Sequence, residues 1–155
     1  ILDQTKRLHP DVLHLCANFT GSPEFREKMR QEIPDVLLME AVGIVDESAV
    51  EDAKAKAEYA DILILDSVSK TVPGVGAAGE THDWSIDKAI VDAVDIPVIL
   101  AGGLGPDNVE DAIRAVHPAG VDSLTKTSIK ENGILVRKDL EKVREFCTRA
   151  KAMEM

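Results

Sequence analysis

The sequence predicts a parallel α/β fold of five strand-helix units, and three observations predict it. Short apolar runs alternate with longer amphipathic ones, which is the pattern of repeated βα units whose sheet is covered by helices. Charge, glycine or proline bounds every short run. Helix start signals fall between the runs rather than inside them.

The strand candidates are Val12–Cys16, Val36–Ala41, Ile62–Asp66, Val98–Gly102 and Val121–Leu124. Between the first two, Ser22-Pro23-Glu24 offers a cap, a proline at the first helical position and an acid in the first turn. After the second, Ser48 with Glu51 three residues on predicts a capping box. Gly105-Pro106-Asp107 repeats the cap, proline, acid order ahead of Val109, Ala112, Ile113 and Val116, which share one helical face. A last helix, about Leu140 to Ala152, follows a polar connection around Lys130 to Gly133.

The 155 residues, 45% hydrophobic, read as a single domain with one sizeable core. The opening Ile1-Leu-Asp-Gln-Thr-Lys-Arg-Leu8 reads as the middle of an amphipathic helix, and the expectation is that further sequence precedes it. Net charge is −10, with Lys and Arg scattered among acids, so no nucleic acid partner is expected. The longest apolar run, Ile96 to Ala101, is strand-sized against the roughly 20 residues that cross a bilayer. No membrane partner is expected, and the expected location is cytoplasmic. Cys16 and Cys147 lack Cys-x-x-Cys or zinc-type spacing; Cys147 reads as a small core residue.

In a parallel α/β sheet the functional site lies at the carboxyl ends of the strands, where loops converge and helix N-termini point their free N–H groups. Alternation places Ile62, Ile64 and Asp66 on one face and Leu63 and Leu65 on the other. Asp66 thus projects from a catalytic end, unless it only caps the following turn. Gly102 and Gly103 directly follow a strand and precede a helix, so they suit either a phosphate cradle or a tight turn. The next strand end supplies Asp122, Thr125 and Lys126, and where a parallel α/β sheet closes into a barrel the loops after its last two strands often share one phosphate. The long loop Ser67 to Asp83 contains Gly76 and Gly79; it is a ligand-binding lid or a flexible insertion.

Together, Leu65-Asp66-Ser67, Gly76-Ala-Ala-Gly-Glu-Thr-His-Asp-Trp84, Leu100-Ala-Gly-Gly-Leu-Gly-Pro-Asp-Asn-Val109 and Pro118-Ala-Gly-Val-Asp122 resemble the phosphoribosylanthranilate isomerase family in order, spacing and chemistry. The resemblance runs from about residue 10 to the C-terminus. It implies a (β/α)₈ TIM barrel, present here as its C-terminal five βα units. It also implies an Amadori rearrangement of N-(5′-phosphoribosyl)anthranilate in tryptophan biosynthesis, done by proton transfer with no cofactor or metal. Asp66 matches the family's aspartate general acid, and Gly76, Gly79, Gly102, Gly103, Asp122, Thr125 and Lys126 match or replace positions that hold a phosphorylated small-molecule substrate. The family's second catalytic group is a cysteine in a Lys-x-Cys-Gly strand, which does not occur in these residues. Residues 1–155 alone are therefore expected to lack that group.

Four departures define the rival reading. His14-Leu15-Cys16-Ala17 stands where the family has Gln-Leu-His-Gly, and Glu40-Ala41 stands for Lys-Ala, reversing a charge expected near the barrel interior. Gly76-Ala-Ala-Gly79 replaces Gly-Gly-Thr-Gly, and Ser123-Leu-Thr-Lys126 replaces Val-Ser-Ser-Gly. A lysine holds phosphate as a point charge rather than through backbone N–H. The alternative is thus a paralogue that binds another phosphorylated small molecule, with altered or no isomerase activity. His14 is expected to face the barrel, whereas His9, His82 and His117 read as solvated or loop-shaping. The sequence leaves the oligomeric state open.

Overall fold

Alternate residues of each strand point to opposite layers, and the burial of this chain sorts them cleanly. The structure is a computed structural model that describes residues 1–17, 19–67 and 84–153. Helix α1 (Leu2–Leu8) leads into β1 (Val12–Leu15), α2 (Pro23–Glu32), β2 (Leu37–Ile44), α3 (Ala49–Ala57) and β3 (Ile62–Ser67). Then come α4 (Trp84–Ala93), β4 (Val98–Leu100), α5 (Val109–Val116) and β5 (Gly120–Val121). A hairpin of β6 (Ser128–Glu131) and β7 (Ile134–Lys138) precedes α6 (Leu140–Lys151).

Strands β1 to β5 form one sheet in sequential order, every pair parallel. This matches the expected five units. Strand β2 runs three residues beyond its expected end, to Ile44, whereas β4 and β5 are shorter than expected. Val42, Ile44, Leu63, Leu65, Val98 and Leu100 meet Ala53, Ile90, Val109, Ile113 and Phe146 in the main core between sheet and helices. Ala41, Ile64 and Ala101, with Met39 and Ile99, form a second cluster on the opposite face. In register across the strands, that second face continues to Asp66 at the end of β3. Among the described residues no further strand pairs with the outer edge of β1 or β5.

The helix starts follow the sequence in one case and not in two. Ser22 caps α2 as expected, its Oγ accepting from the Phe25 N–H at 3.1 Å behind Pro23. Ser48 is already helical at φ −64° and makes no side-chain cap; Asp46 accepts from the Ser48 N–H instead, so the turn begins earlier than the capping box predicts. Before α5, Asp107 pairs with Lys126 at 3.0 Å, and Asn108, rather than the Gly-Pro-Asp triplet, stands at the cap position. The four apolar residues expected on one face of α5 are all buried.

Residues 130–133 are not a plain connection. They turn the β6–β7 hairpin, with Asn132 at φ 51° and Gly133 at φ 82°, the two positive values that a two-residue turn demands and that an Asn-Gly pair adopts readily. Cys147 is exposed, as is Cys16, because α6 buries Phe146 and Ala150 and turns residue 147 outward.

Glu40 corrects a further expectation. It lies on the helix-facing side of β2 with Leu38 and Val42, paired in register with Leu15 and Leu63, and not in the barrel interior. It is 1% exposed. Its Oε1 accepts from the Gly21 N–H at 2.6 Å, and its Oε2 has no partner among the described residues. Burial raises its pKa above the ordinary 4.5, with the Gly21 hydrogen bond pulling the other way. A raised carboxyl pKa means that the folded state holds the proton more tightly. The stability linked to that proton is full below about pH 4.5 and is lost as pH rises through the raised value. Glu40→Gln keeps the acceptor for Gly21 without the charge, so it should stabilise the protein by about 1 kcal/mol at pH 8 and by much less at pH 4. Urea unfolding at the two pH values measures this, and an equal effect at both would contradict it.

Candidate active site

The carboxyl ends of β3, β4 and β5 are joined side by side by backbone hydrogen bonds. Ala101 N–H donates to Leu65 O at 2.8 Å, and Asp122 N–H donates to Leu100 O at 2.8 Å. Each strand end is thereby tied to its neighbour. Gly102 (φ 84°) and Gly103 (φ 63°) both sit at positive φ, a region that other L-residues enter only at a cost. A Cβ on Gly102 would lie 2.5 Å from Ser67 Oγ and 3.2 Å from Asp66 Oδ1. Only glycine lets the end of β4 approach the end of β3 this closely.

Two side chains that sequence reasoning passed over lock these loops. Asn108 Oδ1 accepts from Gly105 N–H at 2.8 Å, and its Nδ2 donates to Gly103 O at 3.1 Å. Ser123 Oγ donates to Leu104 O at 2.6 Å, joining the loop after β5 to the loop after β4. Their partners are loop backbone groups, which carry no periodicity to read.

The result is a cleft lined by Asp66, Gly102, Gly103, Leu104, Asp122, Ser123, Leu124 and Thr125. Five of the residues expected to form the site, Asp66, Gly102, Gly103, Asp122 and Thr125, are brought together here. The cleft holds about 20 Å³, room for a water-sized group. Asp66 is half-buried, and its Oδ1 accepts from the Ser67 N–H at 2.7 Å. Lys126 does not join them. Its ammonium goes to Asp107, and it lines a separate hollow of about 840 Å³ with Pro106, Lys130, Lys142 and Arg149. Thr125 borders both. Gly76 and Gly79, with His82 and the loop from residue 68 to Asp83, lie outside the described residues.

His14, in register with Met39, shares the inner face. The surrounding protein lowers its pKa while the Asp122 carboxylate pulls it up. Its side chain is nevertheless exposed. Among the described residues no helix is long and apolar enough to cross a membrane, and no three His, Cys, Asp or Glu side chains gather as a metal site would.

A parallel sheet with its helices on one face, an apolar inner face on the other, and a carboxylate beside a two-glycine turn at the strand ends defines a barrel-type α/β protein. The family model for N-(5′-phosphoribosyl)anthranilate isomerase matches residues 1–149, and the chain belongs to that family. A relative from Methanocella arvoryzae, an N-(5′-phosphoribosyl)anthranilate isomerase, is 32% identical over 146 residues, covering 94% of this chain and 64% of its own. The Haloferax volcanii relative of the same name is 38% identical over 152 residues, covering 96% and 62%. The chain thus spans less than two thirds of the length of these curated relatives. A solved phosphoribosyl anthranilate isomerase in complex with reduced 1-(o-carboxyphenylamino)-1-deoxyribulose 5-phosphate superposes with a TM-score of 0.70 at 25% identity, over 99% of this chain and 66% of that one. The five-stranded sheet is therefore part of the wall of a (β/α)₈ TIM barrel.

Proposed function

We propose that the full-length protein catalyses the Amadori rearrangement of N-(5′-phosphoribosyl)anthranilate, an aldose-ketose isomerisation in tryptophan biosynthesis. One observation carries the reading: Asp66 lies in the same cleft as Gly102, Gly103 and Thr125, within a chain of the isomerase family. In this reading Asp66 is the general acid that protonates the furanose ring oxygen. The backbone at Gly102 and Gly103, with Thr125, receives the phosphate, since amides at a strand end before a helix suit an anion. Gly76 and Gly79 complete the substrate contacts from the intervening loop. The reaction needs proton transfer and draws on no cofactor. The cytoplasm is the compartment proposed for it.

A second reading is favoured by Lys126, which stands where the family has glycine and is turned to Asp107. In it, the protein is a paralogue holding another phosphorylated small molecule. Assay of the full-length protein with phosphoribosylanthranilate, following loss of the substrate's anthranilate fluorescence, tests both. Saturable turnover is the expected result; binding of phosphate without turnover would replace the isomerase with the paralogue.

A further inference from the structure

The hairpin and the start of α6 take no part in the chemistry proposed above, yet one hairpin side chain reaches the loop that lines the cleft. Lys138, the last residue of β7, pairs in register with Ser128 and extends its ammonium to Ser123 O at 3.0 Å, Leu124 O at 3.2 Å and Thr127 Oγ1 at 3.0 Å. An ammonium has three donors and no acceptor, so one group meets three acceptors. Thr127 Oγ1 also donates to both carbonyls, at 3.1 and 3.3 Å, and Ser128 Oγ donates to Leu124 O at 2.6 Å. Three side chains therefore converge on two adjacent carbonyls of the loop that lines the cleft.

The geometry of the peptide unit turns this into a statement about the other side of the loop. A trans peptide sets its N–H opposite to its C=O, and the described residues contain no cis bond. The carbonyls of Ser123 and Leu124 belong to the same peptide units as the N–H groups of Leu124 and Thr125. With the two carbonyls drawn to Lys138, those two N–H groups point away from it. Neither has an acceptor among the described residues, and both residues line the cleft beside Gly102 and Gly103.

We infer that Lys138 is a positioning residue: from behind the β5 loop it holds the carbonyls of Ser123 and Leu124, so that the amides of Leu124 and Thr125 stay turned to an anion in the cleft. The cation acts through the loop and touches no substrate. It also opposes the partial negative charge that the two carbonyls would otherwise present near a phosphate, and its pull on them strengthens the amides as donors. This gives the hairpin its place in the fold. The turn at Asn132 and Gly133 brings β7 back antiparallel to β6, and only that return sets residue 138 beside the loop.

The inference rests on the anion-binding reading of this corner, and the test separates the two. Lys138→Met keeps the apolar stem and removes the charge; Lys138→Arg keeps the charge. In the full-length protein, inorganic phosphate is titrated against the Leu124 and Thr125 amide resonances, with unfolding midpoints recorded alongside. Lys138→Met should weaken phosphate binding about tenfold, the scale of a lost charge-assisted hydrogen bond, with little change in midpoint because Lys138 is exposed and its substitution opens no cavity in the core. Lys138→Arg should recover most of the affinity. With the isomerase substrate, KM should rise while kcat holds, as loss of uniform binding requires. Equal phosphate affinity in the wild type and Lys138→Met overturns the positioning role and leaves the corner an anion site. Absence of phosphate binding by the wild type overturns both.

Discussion

Turnover by the full-length protein is expected to fall by roughly 10² or more when Asp66 becomes Asn, while substrate binding changes little. Asn matches Asp in size and can still accept from the Ser67 N–H that now meets Oδ1 at 2.7 Å, so the strand end should keep its shape. What the substitution removes is the proton that opens the sugar ring. General acid catalysis contributes about 10²–10⁴ in rate, which sets the scale. The expected signature is a drop in kcat and kcat/KM together, because the lost interaction exists only in the transition state. Steady-state kinetics of the purified variant, with phosphate titration as a check that the cleft still binds, make the measurement. Near-normal turnover by Asp66→Asn would remove Asp66 from the chemistry and return it to the alternative open from the sequence, a residue that caps the turn after β3.

Much of this arrangement was legible because alternation and order are properties of the chain itself. The run Ile62 to Asp66 places its polar end on the inner face, and the register of β2, β3 and β4 agrees. Parallel sequential pairing follows from helices lying between strands. The same rule of alternation, applied along β2 from Leu38 to Ile44, puts Glu40 with the helix-facing residues; matching the motif Lys-Ala hid this, since a motif aligns residues without saying which way they point. The hairpin had a local signal, Asn132-Gly133 between Ile129 and Ile134, but charged Lys130 and Glu131 beside it made the stretch read as a connection. Ser123 and Lys138 had none, and Asn108 stood out only as part of the Leu100–Val109 motif. Each acts on a backbone carbonyl or amide brought near by the fold, and polar residues with such partners look in sequence like any solvated side chain. Lys126 is the converse: a lysine at a strand end reads as a phosphate ligand, and in this structure its ammonium pairs with Asp107, one loop away.

Gly102→Ala is expected to cost about 2–4 kcal/mol of stability and to slow turnover by tenfold or more, and Gly133→Ala supplies the control that says why. The two glycines have nearly the same φ, 84° and 82°, so an alanine at either pays a similar backbone strain of about 1–2 kcal/mol. Their surroundings differ completely. A Cβ at Gly133 has nothing within 4 Å, whereas one at Gly102 would stand 2.5 Å from Ser67 Oγ and 2.9 Å from Ser67 N. Those atoms belong to the end of β3, and Ser67 is 5% exposed, so the strand end must move as a unit to make room. Asp66 would move with it, since its Oδ1 is held by that same Ser67 N–H and lies 3.2 Å from the added carbon. A displacement near 1 Å of a catalytic group can cost on the order of 10² in rate. The difference between the two variants in urea unfolding therefore isolates the contact from the strain, and Gly133→Ala should retain near-normal kcat. Equal losses of stability in both, with turnover preserved in Gly102→Ala, would mean that the close approach of β4 to β3 does not position Asp66.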